Sequence, residues 1–242
     1  MGSALITGGT GGFGVAVARR LLAAGTAVVL ADIDIARGPG IAAELGAAFV
    51  HCDVASRAAL NNAVAIAEQH GPLRMVHLNA GIGSRATGFD SNSDDIYRRV
   101  MAVNVDGVWF GLKAALPAVR RAGGGHVVVT ASLAGIQPWE AEPAYSSAKH
   151  AVVALVRSVA PALAAEGIVA NVICPGFADT PLLPRHVREA GLPLLSADEV
   201  ADAVIEAATV GRPGRVYLLQ PGRAVIDFEH RKVPGDPAAS PE

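Results

Sequence analysis

The chain has 242 residues and a mass of 24.6 kDa, so it is long enough to bury a large hydrophobic core without a disulfide or a structural metal. Its formal net charge of -2 and its pI of about 6.4 argue against nucleic acid or a membrane surface as a partner. No uninterrupted apolar run reaches membrane-spanning length, and no secretory signal precedes the first predicted strand, so we expect a cytoplasmic protein.

Short apolar runs alternate with longer helical patterns along the chain. The predicted strands are Ala4–Thr7, Ala27–Ala31, Ala47–Cys52, Met75–Ala80, His126–Ala131, Val169–Cys174 and Arg215–Leu219. The helical patterns are Val15–Ala24, Arg57–His70, Asp94–Arg121, Ala144–Glu166 and Ala197–Thr209. Strands that are apolar throughout are buried on both faces. The pattern therefore predicts an α/β fold, a single-domain Rossmann-type doubly wound parallel sheet of about seven strands with helices on both faces.

We expect this domain to span residues 1–230, with residues 231–242 as a flexible tail. Cys52 and Cys174 are interpreted as reduced thiols, with a disulfide between them as the alternative.

The first functional motif is the glycine-rich segment GGTGGFG at residues 8–14, between the first predicted strand and the first helical pattern. Glycines there permit a tight turn and a close approach of the backbone to a pyrophosphate, and the helix N-terminus attracts that anion. A flexible loop is the alternative, but the order of strand, turn and helix favours dinucleotide binding.

Asp32 lies at the end of the second predicted strand, where a carboxylate accepts hydrogen bonds from the adenosine ribose hydroxyls. It would also repel the 2′-phosphate of NADP, so we expect NAD as the cofactor. The alternative for such a residue is a loop charge, which is our interpretation of Asp34. Arg37 could pair with a phosphate, but it is placed well past the strand end, on the next helix.

The second motif is Tyr145-Ser146-Ser147-Ala148-Lys149, in which the tyrosine and the lysine lie on one face of a helix. A tyrosine pKa near ~10 is too high for a base at neutral pH, and a neighbouring ammonium group lowers it. If this motif is considered alone, a Tyr–Lys pair on the surface of a helix is the simpler interpretation.

Taken over nearly its whole length, the sequence resembles the short-chain dehydrogenase/reductase family. The family motifs occur here in order as Thr7-Gly8 through Gly12-Phe13-Gly14, Asp32, Asp53-Val54, Asn79-Ala80-Gly81, Asn104, Ser132, Tyr145 with Lys149, and Pro175-Gly176 with Thr180. The resemblance implies an NAD-dependent alcohol dehydrogenase or ketone reductase that needs no metal.

Four catalytic residues are implied by this resemblance. Tyr145 is the general acid in ketone reduction and the base in alcohol oxidation, and Lys149 lowers its pKa and holds the nicotinamide ribose. Ser132 binds the substrate oxygen. Asn104 distorts its helix and anchors a water molecule that connects Lys149 to solvent.

The same resemblance implies a set of cofactor contacts. Asp53 is expected to bind the adenine by a hydrogen bond, and Thr180 the carboxamide. The full set is Gly8, Thr10, Gly12, Phe13, Gly14, Asp32, Ile33, Asp53, Val54, Asn79, Ala80, Gly81, Tyr145, Lys149, Pro175, Gly176, Phe177 and Thr180. Gly11 stands where NADP-using relatives often carry a basic residue, which again favours NAD.

The substrate pocket is predicted from Gln137, Trp139, Leu182 and Leu183, and the expected substrate is a bulky, mostly apolar secondary alcohol or ketone. Ordinary loop packing is the alternative for Trp139. We expect Glu140 and Glu142 to be solvated.

Three alternatives remain: an NADP-dependent ketone reductase of the same family, an NAD-binding sensor without turnover, and a different reaction on the same fold, such as sugar epimerisation or dehydration. Relatives with such a reaction usually have a much larger C-terminal substrate region. Relatives usually form dimers or tetramers through the helices that correspond to Asp94–Arg121 and Ala144–Glu166, so we expect a homo-oligomer, either a dimer or a homotetramer.

Overall fold

The computed structural model of the chain describes residues 2–180, 183, 185–210 and 212–230. Its strands are β1 (Ser3–Thr7), β2 (Ala27–Asp32), β3 (Ala48–His51), β4 (Leu73–Leu78), β5 (Gly125–Thr130), β6 (Ile168–Pro175), β7 (Val216–Leu219) and β8 (Ile226–Phe228). Its helices are α1 (Gly12–Ala23), α2 (Gly38–Leu45), α3 (Arg57–Gln69), α4 (Asp94–Met101), α5 (Gly107–Arg121), α6 (Pro143–Ala164), α7 (Arg185–Glu189) and α8 (Ala197–Thr209). A π-helical turn (Ala102–Asp106) joins α4 to α5, and a 3-10 turn (Leu133–Gly135) follows β5. The tail predicted at 231–242 lies outside the described residues.

The described strands form one sheet in the order β3-β2-β1-β4-β5-β6-β7-β8. The first seven run parallel to one another, which confirms the predicted doubly wound sheet. The sequence did not predict β8, which pairs antiparallel with β7. This strand has three residues, two of which are exposed, so it lacks the apolar run that marks the other strands.

Helices cover both faces of the sheet, and successive strand residues point to opposite sides. Leu5 packs into the layer of α3, α5 and α6, whereas Ala4 and Ile6 pack into the layer of α1 and α8. Both faces are therefore apolar, which explains why the strands show no polar alternation. Cys52 and Cys174 are buried free thiols within these layers, as predicted.

The longest described helix is α6, with 22 residues, and it carries Tyr145 and Lys149 in its first two turns. Nowhere in the described part of the chain is a helix both long enough and apolar enough to cross a membrane.

The strand order reverses between β1 and β4, which lie side by side. In an open parallel sheet this reversal leaves a crevice beyond the carboxyl ends of the strands, where ligands bind. The predicted site residues follow the carboxyl ends of β1 to β6, so the fold gathers them at this edge.

Candidate active site

The glycine-rich turn between β1 and α1 forms one end of a cavity at the carboxyl edge of the sheet. Gly8 has a φ of +62°, and a Cβ on Gly14 would lie 2.6 Å from the carbonyl oxygen of Gly8. Gly9, which the sequence did not single out, is also confined, because its Cβ would lie 2.9 Å from Ile6 O. Since α1 begins at Gly12 and its first N–H groups have no partner within the helix, this turn can bind a pyrophosphate.

Asp32 ends β2, and the glycine-rich turn binds its carboxylate. Thr10 donates to Oδ2 from its backbone N–H at 3.0 Å and from its hydroxyl at 2.7 Å, while Oδ1 accepts from the Asp34 N–H at 3.1 Å. A carboxylate has about four acceptor positions, so lone pairs remain for the hydroxyls of a ribose. Ile33, the next residue, is 65% exposed.

Arg37 lies at this end of the cavity. The sequence interpretation, which placed Arg37 well past the end of β2 and on the next helix, is wrong. The residue immediately precedes α2 and lines the cavity together with Asp32 and Ile33. Its Nε donates to Asp34 Oδ2 at 2.6 Å. Hydrogen bonds from the Arg37 backbone and side chain lower the pKa of the Asp34 carboxyl. Asp34 is therefore a loop charge, as expected, and its carboxylate binds the guanidinium group of Arg37.

The segments after β3 and β4 continue the wall of the cavity. Asp53 is exposed, and its Oδ1 accepts a backbone N–H two residues further on at 2.9 Å, whereas Val54 is buried. Asn79 donates from Nδ2 to the carbonyl oxygens of Thr7 and Gly8, both at 3.2 Å. These bonds connect the end of β4 to the glycine-rich turn.

Ser132, Tyr145 and Lys149 come together on the same cavity wall. Lys149 Nζ lies 5.5 Å from the centre of the Tyr145 ring and donates to the carbonyl oxygen of Thr130 at 3.0 Å. The Ser132 side chain accepts the backbone N–H of Ala134 at 3.1 Å, and it also interacts with the phenol of Tyr145. Two hydroxyl groups are therefore available to one substrate oxygen.

Burial shifts the tyrosine and the lysine toward their neutral forms. It raises the pKa of Tyr145 to about 12, although the hydrogen bond with Ser132 acts in the opposite direction. It also lowers the pKa of Lys149 to about 8. Burial thus opposes the lowering that was expected from the Lys149 ammonium group, and the role of Lys149 stays a prediction.

Asn104 lies in the π-helical turn that interrupts the long helical pattern, and it is fully buried. Its Nδ2 donates to the carbonyl oxygens of Ile82 at 2.8 Å and Val100 at 2.9 Å, and its Oδ1 accepts from the Ile82 N–H at 3.2 Å. A Cβ on Gly81 would lie 2.8 Å from Asn104 Oδ1 and 3.3 Å from Lys149 Nζ. Only a glycine therefore fits between the amide and the ammonium group.

The far end of the cavity is mainly apolar. Trp139 and Phe177 meet edge to face, with ring centroids 5.7 Å apart and an interplanar angle of 72°. Gln137 and Leu183 line the cavity as well, and so do Pro175, Gly176 and Thr180. Leu182, the remaining residue predicted for the pocket, lies outside the described residues.

Glu142 is the clearest correction to the sequence interpretation. Glu140 is exposed, as expected, but Glu142 is only 6% exposed and lines the cavity. Its Oε2 accepts the backbone N–H of Ser84 at 2.7 Å. Glu142 directly precedes α6, and the fold turns its side chain inward beside Tyr145. This position before the helix was the one signal in the sequence that could have indicated its burial.

The cavity has a volume of about 1120 Å³, which is large for a ligand site. Every residue predicted to contact the cofactor lines it except Gly14, which supports the turn from behind. The confined glycines, the N-terminus of α1 and the Asp32 carboxylate match the pyrophosphate and ribose of a nicotinamide dinucleotide.

Comparison with known proteins agrees with this geometry. The sequence profile of the family described as short chain dehydrogenase matches residues 3–190. The chain is 35% identical over 185 residues to 2,5-dichloro-2,5-cyclohexadiene-1,4-diol dehydrogenase LinX of Sphingobium indicum, covering 74% of each chain. It is 36% identical over 222 residues to 2-(R)-hydroxypropyl-CoM dehydrogenase of Xanthobacter autotrophicus, covering 84% of this chain and 89% of that one.

Solved structures have the same fold. One is the 3-ketoacyl-(acyl-carrier-protein) reductase from Brucella melitensis complexed with NADH, with a TM-score of 0.85, 28% identity, and coverage of 92% of this chain and 98% of that one. Another is a single-substitution variant of actinorhodin polyketide ketoreductase with NADPH, with a TM-score of 0.83, 26% identity, and coverage of 91% and 96%. Both profile and relatives place this chain in the short-chain dehydrogenase/reductase family, as an oxidoreductase of the nicotinamide-dependent type.

Proposed function

We propose that the protein is an NAD(H)-dependent oxidoreductase that interconverts a secondary alcohol and a ketone, with Tyr145 as the general acid and base. The observation that carries this proposal is the grouping of Ser132, Tyr145 and Lys149 on a cavity whose other end has a dinucleotide-binding turn. Catalysis by a positioned proton donor requires such a group within hydrogen-bonding reach of the reacting oxygen.

A nicotinamide ring supplies the hydride acceptor or donor when it is bound. In reduction, Ser132 donates a hydrogen bond to the substrate carbonyl, and the Tyr145 hydroxyl delivers a proton to that oxygen. The raised pKa of Tyr145 keeps the phenol protonated at neutral pH, which suits this direction. In oxidation, the same group takes the proton from the alcohol, and Lys149 stabilises the phenolate by its charge.

Asn104 is proposed to anchor a water molecule that relays protons between Lys149 and solvent. Support comes from the position of Gly81, which faces both Asn104 Oδ1 and Lys149 Nζ at close range. The Asn104 oxygen accepts one described hydrogen bond, from Ile82, so it retains a lone pair for water.

The preference for NAD over NADP rests on charge at the end of β2. Asp32 places a carboxylate there, which favours ribose hydroxyls and disfavours a phosphate. Arg37 is the nearby cation on the cavity wall, and Asp34 already binds its guanidinium group at 2.6 Å. An NADP-dependent reductase is the alternative, and it would require Arg37 to leave this ion pair.

The proposed substrate is bulky and mostly apolar, because Trp139 and Phe177, whose rings are in contact, line the cavity together with Leu183. Relatives named as dehydrogenases of a cyclic diol and of a hydroxypropyl compound support an alcohol as the reduced form. A homo-oligomer, dimer or tetramer, is proposed as the assembled state, and a cytoplasmic location as its compartment.

Absorbance of NADH and NADPH, followed with a set of ketones and alcohols, tests this function. We expect Tyr145→Phe to lower kcat by about 100- to 10,000-fold while the dissociation constant of NADH changes by less than about threefold, because only the proton donor is lost. Tyr97→Phe, on the exposed side of α4, is the matched control and should behave as the wild type. Binding of NADH without turnover of any substrate by the wild type would instead indicate a sensor.

A further inference from the structure

Glu142 lies beside the reacting groups but has no part in the proton transfer described above. It is 6% exposed, and it lines the cavity together with Trp139 and Tyr145. It precedes Tyr145 by three positions, at the point where the chain enters α6. Its carboxylate therefore borders the region where the substrate skeleton would extend.

The carboxylate has one described donor and no cation. The Ser84 N–H donates to Oε2 at 2.7 Å, and a Cβ on Gly83 would lie 3.2 Å from Oε1. Within the described residues, no lysine, arginine or histidine forms an ion pair with this side chain. A buried carboxylate without a counter-ion is unfavourable unless other donors stabilise it.

A purely structural role does not require this charge. Glu142 and the neighbouring bond from the Gly88 N–H to the Ala141 carbonyl hold the loop after β4 against the start of α6. A neutral amide oxygen would also accept the Ser84 N–H, although in a weaker hydrogen bond. The negative charge also acts inside the cavity, because it contributes to the raised pKa of Tyr145.

We propose, on the basis of the oxidoreductase function proposed above, that Glu142 determines specificity by accepting a hydrogen bond from a second donor on the substrate. This donor is a hydroxyl or an ammonium group that the substrate carries away from its reacting carbon. Trp139, Phe177 and Leu183 line the same cavity with apolar side chains, so the substrate is an apolar skeleton with one such donor, and Glu142 repels a carboxylate in the place of that donor.

Four ketones test this proposal. They are unsubstituted cyclohexanone and cyclohexanones that carry a hydroxyl, a protonated amine or a carboxylate at the ring positions farthest from the carbonyl. The measured quantity is the ratio of kcat/KM for each substituted ketone to that of cyclohexanone. We expect the wild type to favour the hydroxyl and ammonium ketones by roughly tenfold or more and to disfavour the carboxylate.

Two substitutions separate charge from hydrogen bonding. Glu142→Gln should lower the ammonium ratio by about tenfold and raise the carboxylate ratio, yet keep the hydroxyl ratio, because an amide oxygen still accepts a hydrogen bond. Glu142→Ala should lower both the hydroxyl and the ammonium ratios. Glu140→Gln, which changes the exposed neighbour, should leave all ratios as in the wild type.

Three outcomes would overturn the proposal: a wild type that prefers the carboxylate ketone, wild-type ratios near one, or ratios that remain unchanged in Glu142→Gln while all rates fall together.

Titration calorimetry of the same four ketones into the protein with NADH distinguishes this failure from failure of the proposed function. Ammonium-ketone binding that is lost in Glu142→Gln, without turnover of any ketone, supports the site and contradicts the function. Equal binding of all four ketones contradicts the site.

Discussion

At the scale of single residues, buried polar groups connect the core to the proposed reaction centre. His77 in β4 is fully buried, and its Nε2 lies 2.8 Å from Thr130 Oγ1. The Thr130 hydroxyl donates to Asn79 Oδ1 at 3.2 Å, so it must accept from His77 Nε2–H. The carbonyl oxygen of Thr130 binds Lys149. His77 thus orients a residue that holds both Lys149 and the segment after β4.

The protonation of His77 should make the fold sensitive to acid. Burial lowers its pKa from 6.5 to about 3, so between these two values the unfolded chain binds more protons than the folded one. Stability therefore falls as the pH drops below about 6.5. From pH 7 to pH 5 we expect the free energy of unfolding to decrease by about 2 kcal/mol more in the wild type than in His77→Gln, whose side chain does not titrate.

Urea unfolding at these two pH values measures the difference. His70→Gln is the matched control, because His70 is exposed at the end of α3, and it should keep the acid sensitivity of the wild type. Equal acid sensitivity in wild type and His77→Gln would show that protonation of His77 does not contribute.

At the scale of elements, the contact between β1 and α1 determines the shape of the nucleotide end of the cavity. Gly14 brings the first turn of α1 against the backbone of Gly8 and Gly9, where a Cβ would lie 2.6 Å and 2.7 Å from their nearest atoms. These atoms belong to the backbone, so they cannot move aside as a flexible side chain would.

Gly14→Ala should therefore displace the turn and weaken cofactor binding. We expect the dissociation constant of NADH to rise at least about tenfold, with a lower Tm, because overpacking against backbone costs about 1–3 kcal/mol. Fluorescence titration and thermal unfolding provide the two measurements. Gly40→Ala in α2, where a Cβ meets no atom within 4 Å, is the control and should bind NADH normally. Unchanged affinity in Gly14→Ala would contradict the proposed role of this turn.

At the scale of the whole molecule, the helix layer of α3, α5 and α6 covers one face of the sheet, and its outer surface includes an exposed aromatic residue. Trp109 of α5 is 47% exposed, and Lys113 Nζ lies 5.6 Å from the centre of its ring. Tryptophan is enriched among the residues that dominate protein interfaces. This surface corresponds to the helices through which an oligomer was predicted to form.

Trp109→Glu should weaken that assembly. An interface residue of this kind contributes about 2 kcal/mol, so the dissociation constant between subunits should rise roughly 30-fold. Sedimentation velocity over a range of protein concentrations measures the change. Val210→Glu, at a position that is 76% exposed next to α8, is the control and should leave assembly unchanged. A monomeric wild type would contradict the proposed oligomer.

Much of the fold and of the site was readable from local patterns. Seven of the eight described strands coincide with apolar runs, since burial on both faces leaves a signature in a few consecutive residues. The glycine-rich turn and Asp32 were recognised from the local order of strand, turn and helix, whereas Tyr145 and Lys149 were assigned only through the resemblance over nearly the whole chain. The strand β8 was missed because three mostly exposed residues leave no such signature.

Burial and electrostatics, in contrast, were decided only by the tertiary structure. Glu142 looks like a solvated charge in sequence, but the packing of α6 against the loop after β4 encloses it. Burial raises the pKa of Tyr145 against the lowering that was expected from Lys149, and the segment before α2 brings Arg37 to the cavity wall. Each of these properties depends on how much water the rest of the chain removes from a group, and segments distant in sequence determine that amount.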